Sequence, residues 1–481
     1  MRRAHRLRSG FTATPELAAT KSYAVEELAS SHFGVSSERL SRQKSAEIPA
    51  PVSWRIVTAT LIGAVAGAAI ALGGTEPASF AAVEILLFIL AACALWIEPR
   101  EGPRLWWPGP ALLAAYLICD AFVARPAVYL ARVQLLAVAA YLCGFFLAAL
   151  AARDSEARLF IWTVLIALGF VEALYGLVQY TTDWQQVLAF KKVEYLAQAT
   201  GTYINPNNFA GLLEMLLPLV FARALCEFEQ WTAKSRGPGR RAELWLRVDS
   251  GPRFAFFLFG TLLLTAALLF SRSRAGIVAS WAGLLLVASI WTIRSRSHSS
   301  AAVIVVSLVA LTLTAGAWIG LGPVFMRYRA AGEDLPSRVE VWKDTAALIR
   351  AHPYWGTGPG SFVDAYTRVQ TSHLALRLNH AHNDYLEFAA EWGVPGAVLL
   401  FALVGIVLVR AFRGLRRTAR AADWFLLLGC CAGVFSLLLH AAVDFNLHIP
   451  ANALLFAVLL GLASTLSAGD ADAPERRAAL R

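Results

Sequence analysis

The sequence predicts an all-α, polytopic membrane protein of about twelve transmembrane helices, and three observations carry that reading. Hydrophobic residues make up 57% of the chain and charged residues only 16%, against about 25% charged in a soluble protein. Apolar runs of membrane-crossing length, about 20 residues each, recur from Trp54 almost to the C-terminus. The roughly ten-residue alternating segments of a membrane β-barrel do not occur.

In chain order, residues 1–54 are polar and lack the apolar core of a signal peptide. They read as a cytoplasmic segment, partly disordered, with an amphipathic helix over PELAATKSYAVEELAS (15–30). Residues 55–321 read as nine spans: 55–73, 79–97, 109–124, 133–152, 159–180, 208–226, 254–271, 276–293 and 301–321. The third is short and contains Asp120. A long polar segment, 322–393, follows. Spans at 394–410, 424–441 and 451–468 complete the bundle, and 469–481 forms a tail.

The net charge of +10 reports topology rather than a nucleic-acid partner. With the N-terminus in the cytoplasm, the basic clusters at 2–8, 234–253, 410–420 and 476–481 all fall on that side. Most of the 43 Lys and Arg residues then lie inside, as the positive-inside rule requires. Both termini are cytoplasmic in this reading, in a cytoplasmic (inner) membrane. All six cysteines fall within spans, without metal-ligand or CxxC spacing, and read as packing residues. No internal repeat argues for the inverted halves of a transporter.

The polarity that remains collects on the outward side, in 181–207, SRSRAG (271–276), 322–393 and DFNLHIP (444–450). Loops this long in a compact membrane protein carry function. Within the longest, SRVEVWKDTAALIR (337–350) predicts a helix capped by Ser337 with Glu340 at the capping-box position. HPYWGTGPGSF (352–362) then breaks it. The glycine run lacks the Lys-Ser/Thr of a phosphate loop and reads as a rigid turn. HAHND (380–384) begins like a metallo-hydrolase signature, with His352 and His373 nearby, but Tyr385 stands where a further His belongs. A plainer alternative makes His382 a polar cap on an interfacial helix, with Tyr385, Phe388, Ala389 and Trp392 as its apolar stripe.

Together these segments resemble the O-antigen ligase and polymerase superfamily. The family's loop signature is His, then Asn, Ser or Gln, nine residues, Gly, two residues and a small residue or Tyr. It is matched by His382, Asn383, the nine residues to Trp392, Gly393 and Gly396. GTYINPNNFAG (201–211), SRSRAG, SRxxxW with HPxxGxGxGxF (337–362), and DFNLHIPANA (444–453) resemble further family segments, in order, over roughly 130–470. The resemblance implies a GT-C-like membrane glycosyltransferase with 322–393 as its periplasmic, extracytoplasmic catalytic loop. Such enzymes transfer a glycan from undecaprenyl pyrophosphate to an acceptor hydroxyl on the outer face of the membrane. The acceptor is lipid A–core in the ligases and another lipid-linked repeat in the polymerases. The products are lipopolysaccharide or exopolysaccharide, and some relatives glycosylate protein. No metal or other cofactor is implied.

The chemistry suits the residues. A pyrophosphate leaving group gains charge as its glycosidic bond breaks, and guanidinium groups can stabilise it. Arg274 and Arg338 are placed to do so. His382 is the residue type to take the acceptor's proton near pH 7. Each has a structural alternative. Arg272 and Arg274 could snorkel to headgroups. Arg338 could pair with Asp334. His380 could be the base instead. Asn205, Asn207, Asn208 and Asn383 could bind glycan or only shape turns. Asp444 could orient a catalytic group or cap a helix. Glu84, Asp120, Arg132, Glu172 and Glu214 fall inside spans, where charge is costly; they read either as acid–Arg132 pairing or as a lipid tunnel. A flippase for polyprenyl-linked glycans remains the alternative of a different class.

Overall fold

The computed structural model describes residues 52–97, 108–123, 128–234, 250–295, 331–371 and 378–468. The N-terminal segment 1–51, the span 301–321, residues 322–330 and 372–377 of the long loop, and the tail 469–481 lie outside the described residues.

The described chain is a helical bundle. Its helices are α1 (Val52–Ile70), α2 (Pro77–Ile97), α3 (Pro108–Val123), α4 (Val128–Ala151), α5 (Ser155–Thr181), α6 (Pro206–Lys234), α7 (Ser250–Ser271), α8 (Arg274–Ser295), α9 (Ala331–Ala351), α10 (Phe362–Tyr366), α11 (Asp384–Gly414), α12 (Ala421–His440) and α13 (Pro450–Leu466). Among the described residues eight helices are long and apolar enough to cross a membrane: α2, α4, α5, α6, α7, α8, α11 and α12. Trp54–Ile70 of α1 and all of α13 are shorter apolar helices. The segment after α5 carries a small departure from all-α, an antiparallel pair of two-residue strands, Gln186–Val187 with Phe190–Lys191.

Helix α6 is the axis. Of its apolar window 94% is buried, against 28% for α2 and for α11, which face outward. It packs against α7, α8 and α12, while α13 packs on α4. Small residues let the backbones approach: a Cβ on Gly433 of α12 would lie 2.5 Å from the Met215 carbonyl of α6. One end of the bundle is closed by charge and aromatics. There Arg158 holds Asp423 with two 2.8 Å bonds, and Arg294 lies 4.2 Å over the Trp424 ring.

Two local expectations change. Helix α9 begins at Ala331, upstream of Ser337, so Ser337 is not its cap. The helix runs through Pro336 and Ser337 without a break. Helix α9 is fixed to the next polar segment by Trp342, whose indole donates to the Ala381 carbonyl at 3.0 Å. The segment 382–393 and the span after it form one element, α11, broken at Gly393.

Gly393 explains the glycine run. Its φ of +68° interrupts α11, and Pro395 removes a further donor, so carbonyls before the break lose helical partners. HPYWGTGPGSF supplies them: Thr357 N–H donates to Ala390 O and Gly358 N–H to Glu391 O, both at 2.9 Å. In return Val394 N–H donates to Pro353 O at 2.9 Å. A Cβ on Gly393 would collide with the Tyr354 carbonyl, and one on Gly356 with the Glu391 carbonyl. The two glycine-bearing segments clasp one another.

Candidate active site

At the other end of the bundle, the starts of α6, α8 and α11 meet the turn between α12 and α13. Asn383 caps α11: its backbone is extended, and its Oδ1 accepts from Leu386 N–H at 3.1 Å. Its Nδ2 donates to Ala442 O at 2.8 Å, tying the cap to the turn after α12. Asp384 N–H donates to both Ala441 O (2.8 Å) and Asp444 O (3.1 Å). The helix-capping alternative for His382 therefore fails, because Asn383 holds that position.

His382 sits just before the cap at φ +49°, a left-handed conformation that a non-glycine residue adopts only when its surroundings hold it there. Its Nδ1 lies 3.6 Å from Asp444 Oδ1, beyond hydrogen-bond distance but within reach of the charge. Asp444 is buried. Its Oδ1 accepts from Phe445 N–H at 2.9 Å and its Oδ2 from Asn207 Nδ2 at 2.7 Å. Burial alone would raise its pKa, but the facing His382 and the charges of His440 and Arg338 hold the carboxyl down, to about 2. Asp444 caps no helix: α13 starts at Pro450, behind Ile449.

His380 forms a second pair. Its Nδ1 is 2.7 Å from Glu387 Oε1, and its ring stacks on Phe445 at 4.1 Å and 10°. His382 meets the same Phe445 edge-on at 5.0 Å. The other carboxylate oxygen, Glu387 Oε2, accepts from Ala381 N–H at 2.8 Å.

The sequence reading missed the residues behind these pairs. Asp384, Glu387 and Glu391 sit at helical spacing that turns all three toward His448 from the following turn. His448 Nδ1 is 2.6 Å from Asp384 Oδ1, and its Nε2 is 3.6 Å from Glu387 and 3.9 Å from Glu391. Burial pushes the His448 pKa down, but Glu387, Asp384 and Glu391 together raise it to about 10. Three acids on one face of an otherwise apolar helix were the available signal. His440 and Glu214, 2.9 Å apart, were also missed as a pair. Neither proximity is legible without the fold.

The arginines divide. Arg338 donates from Nη1 to Val443 O at 2.6 Å, beside Asp444 and not toward its own helix. Arg274 is the first residue of α8, and two residues on, Gly276 packs between Ala210 of α6 and His440 of α12. Arg272, at φ +56°, turns aside to Tyr180, with its guanidinium 5.8 Å from the ring centroid. Asn205 accepts from Asn207 N–H at 2.8 Å in the turn that starts α6. The Asn208 carbonyl accepts from Asn452 Nδ2 at 2.9 Å, so this asparagine sits deeper than the histidines. Glu172 is likewise engaged internally, accepting from the Thr202 hydroxyl at 2.7 Å and N–H at 3.0 Å. Arg132 is exposed and pairs with no acid among the described residues. His373 and the side chains of Asp120 and Asp334 lie outside the described residues.

The histidines of HAHND thus turn to different carboxylates. Among the described residues no cluster of three or more His, Cys, Asp or Glu side chains is arranged to hold a metal ion.

Residues 259–401 match the family model described as O-antigen ligase. No curated protein matches the chain. The matched stretch runs from α7 into α11 and contains Arg272, Arg274, Arg338, His380, His382 and Asn383; Asp444 lies beyond it. Over residues 259–401 the chain, a multi-pass helical protein, is thus similar to the O-antigen ligase superfamily of ligase-like membrane glycosyltransferases.

Proposed function

We propose that this protein transfers a glycan from undecaprenyl pyrophosphate to an acceptor hydroxyl at the outer face of the cytoplasmic membrane. The observation that carries the reading is His382, held in a left-handed conformation against an ionised Asp444, with Arg338 donating to the neighbouring Val443 carbonyl.

In the reaction the acceptor oxygen attacks the anomeric carbon, and the bond from that carbon to the pyrophosphate oxygen breaks. The electron pair leaves on the lipid pyrophosphate, where Arg274 and Arg338 stabilise it. The acceptor's proton passes to Nε2 of His382. Nδ1–H of the resulting imidazolium faces Asp444, which stabilises it and orients the ring. The 3.6 Å separation shortens when substrate binds, as catalytic contacts commonly do. Asn205 and His380 border this region as candidate glycan contacts, while Asn383 and Asn208 shape it from behind and Arg272 lies to the side.

The outward placement is supported by the charge asymmetry of the loops, which puts Arg158 and Arg294 at the cytoplasmic end. It also fits the chemistry, since a lipid-activated donor serves a compartment without nucleotide sugars. The test is transfer by purified protein from an undecaprenyl-pyrophosphate-linked repeat, offered lipid A–core or a second lipid-linked repeat. Product with the first makes it a ligase, and with the second a polymerase. Activity persists in excess EDTA, because the two arginines and the histidine supply the charge stabilisation. No product with either acceptor, or loss in EDTA restored by zinc, overturns the proposal.

A further inference from the structure

Polar contacts continue inward from His382 past Asp444. The Oδ2 of Asp444 faces His440 Nε2 at 3.8 Å, beyond hydrogen-bond distance, and that buried nitrogen has no hydrogen-bond partner. The other ring nitrogen of His440, Nδ1, is 2.9 Å from Glu214 Oε2. His440 and Glu214 have no exposed side-chain surface, and Glu214 Oε1 has no hydrogen-bond partner. A buried histidine–carboxyl couple with an unsatisfied oxygen is a costly way to join two helices, since apolar side chains of similar size pack there at least as well.

His440 is also where the two halves of the site touch. Gly276, on the first turn of α8 behind Arg274, leaves no room for a side chain. A Cβ there would lie 2.6 Å from Ala210 Cβ and 3.4 Å from His440 Cε1. One imidazole therefore meets α6 through Glu214, the helix that carries Arg274 through Gly276, and the partner of His382 through Asp444.

We propose that His440, held by Glu214, is a positioning residue for the transfer: it fixes the Asp444 carboxylate opposite His382 and seats the start of α8 at the same point. This inference rests on the assignment of His382 as base. Its balance of protons is unchanged by His440, which receives none from the acceptor.

The experiment is a steady-state comparison of His440→Leu, His440→Gln and His440→Asn, each alone and combined with His382→Ala. The substrate is an undecaprenyl-pyrophosphate-linked oligosaccharide with the acceptor that supports transfer. His440→Leu lowers kcat by about 10- to 100-fold, the scale of a misplaced catalytic group, with donor KM within about twofold. His440→Gln, whose amide nitrogen reaches the place of the ring Nε2 that faces Asp444, recovers most of kcat. His440→Asn, polar but too short, does not, so the split between Gln and Asn stands even if the Leu variant folds poorly. In the His382→Ala background none of the three lowers kcat further, because residues acting as one unit are non-additive. Wild-type kcat in both the Leu and Asn variants overturns the inference. So do losses that add to those of His382→Ala, or that follow the melting temperature without rescue by Gln. If His382→Ala itself transfers normally, the base assignment falls and this inference with it. If that variant is inactive while the His440 variants are unaffected, only the positioning role falls.

Discussion

His380 and His382 are two residues apart, similarly exposed at 28% and 29% of the side chain, and both rest on Phe445. Their carboxylates treat them differently. Glu387 holds His380 at 2.7 Å while also accepting from Ala381 N–H and facing His448. Asp444 stands 3.6 Å from His382 and is occupied by Asn207, Phe445 N–H and the charges of His440 and Arg338. The first pair is closed and belongs to the brace between α11 and the turn after α12. The second leaves His382 Nδ1 without a hydrogen-bond partner, on a backbone its neighbours must hold in place. A general base needs a facing charge and room to respond, and only the second pair offers both.

The largest effect expected is at the open pair. His382→Ala lowers turnover by about 100- to 10,000-fold, while binding of the lipid-linked donor stays near wild type, because the proton is taken only as the hydroxyl attacks. Single-turnover kinetics with a separate donor-binding measurement checks both halves. Next come Arg274→Ala and Arg338→Ala, each about 100- to 1,000-fold. These weaken donor binding as well, since a pyrophosphate is charged before reaction. Lysine at either position restores only part of the loss, lacking the planar fork of arginine. Donor affinity unchanged in both arginine variants would remove them from the pyrophosphate site.

The bundle was legible because hydrophobic periodicity and length are local properties. Helices lie where α1 to α8 and α11 to α13 were read, and SRSRAG, HAHND and DFNLHIP, read as polar segments, come together at one end of the bundle. Asp444 was singled out from its motif, but its alternative roles separated only when Asn207, His382 and His440 converged on it. The brace of His448 with Asp384, Glu387 and Glu391 spans two segments far apart in sequence, so no motif could show it. Ser337 misled for the opposite reason. Its local pattern is a sound cap signal, and the helix extends through it.

The closed side of the site makes a prediction about stability. His448 has its pKa raised from 6.5 to about 10 by the three acids. Its contribution is therefore fully present below about 6.5 and lost as pH rises through 10. Asp444 has the opposite sign. Held at about 2, it contributes above about 3.9 and loses that contribution as pH falls through 2. The melting temperature in detergent should decline between pH 7 and 10, and His448→Gln should flatten the decline while lowering the plateau beneath it. A slope unchanged by the substitution would mean that another group dominates the alkaline side.

The smallest effect on turnover is expected at His380, and it is the sharpest test of the comparison. Removing its ring leaves Glu387 with Ala381 N–H and the more distant His448, so stability falls by about 1–3 kcal/mol for the lost buried partner. Asp444, Asn207 and the backbone that sets His382 are untouched by that loss, so kcat for His380→Ala should stay within about threefold of wild type. Melting temperature and kcat measured on the same preparation separate the two effects. Should His380→Ala be inactive in folded protein while His382→Ala still transfers, the closed pair is the base. A short, well-formed histidine–carboxylate contact would then outweigh the strained backbone as the sign of a working residue at this end of the bundle.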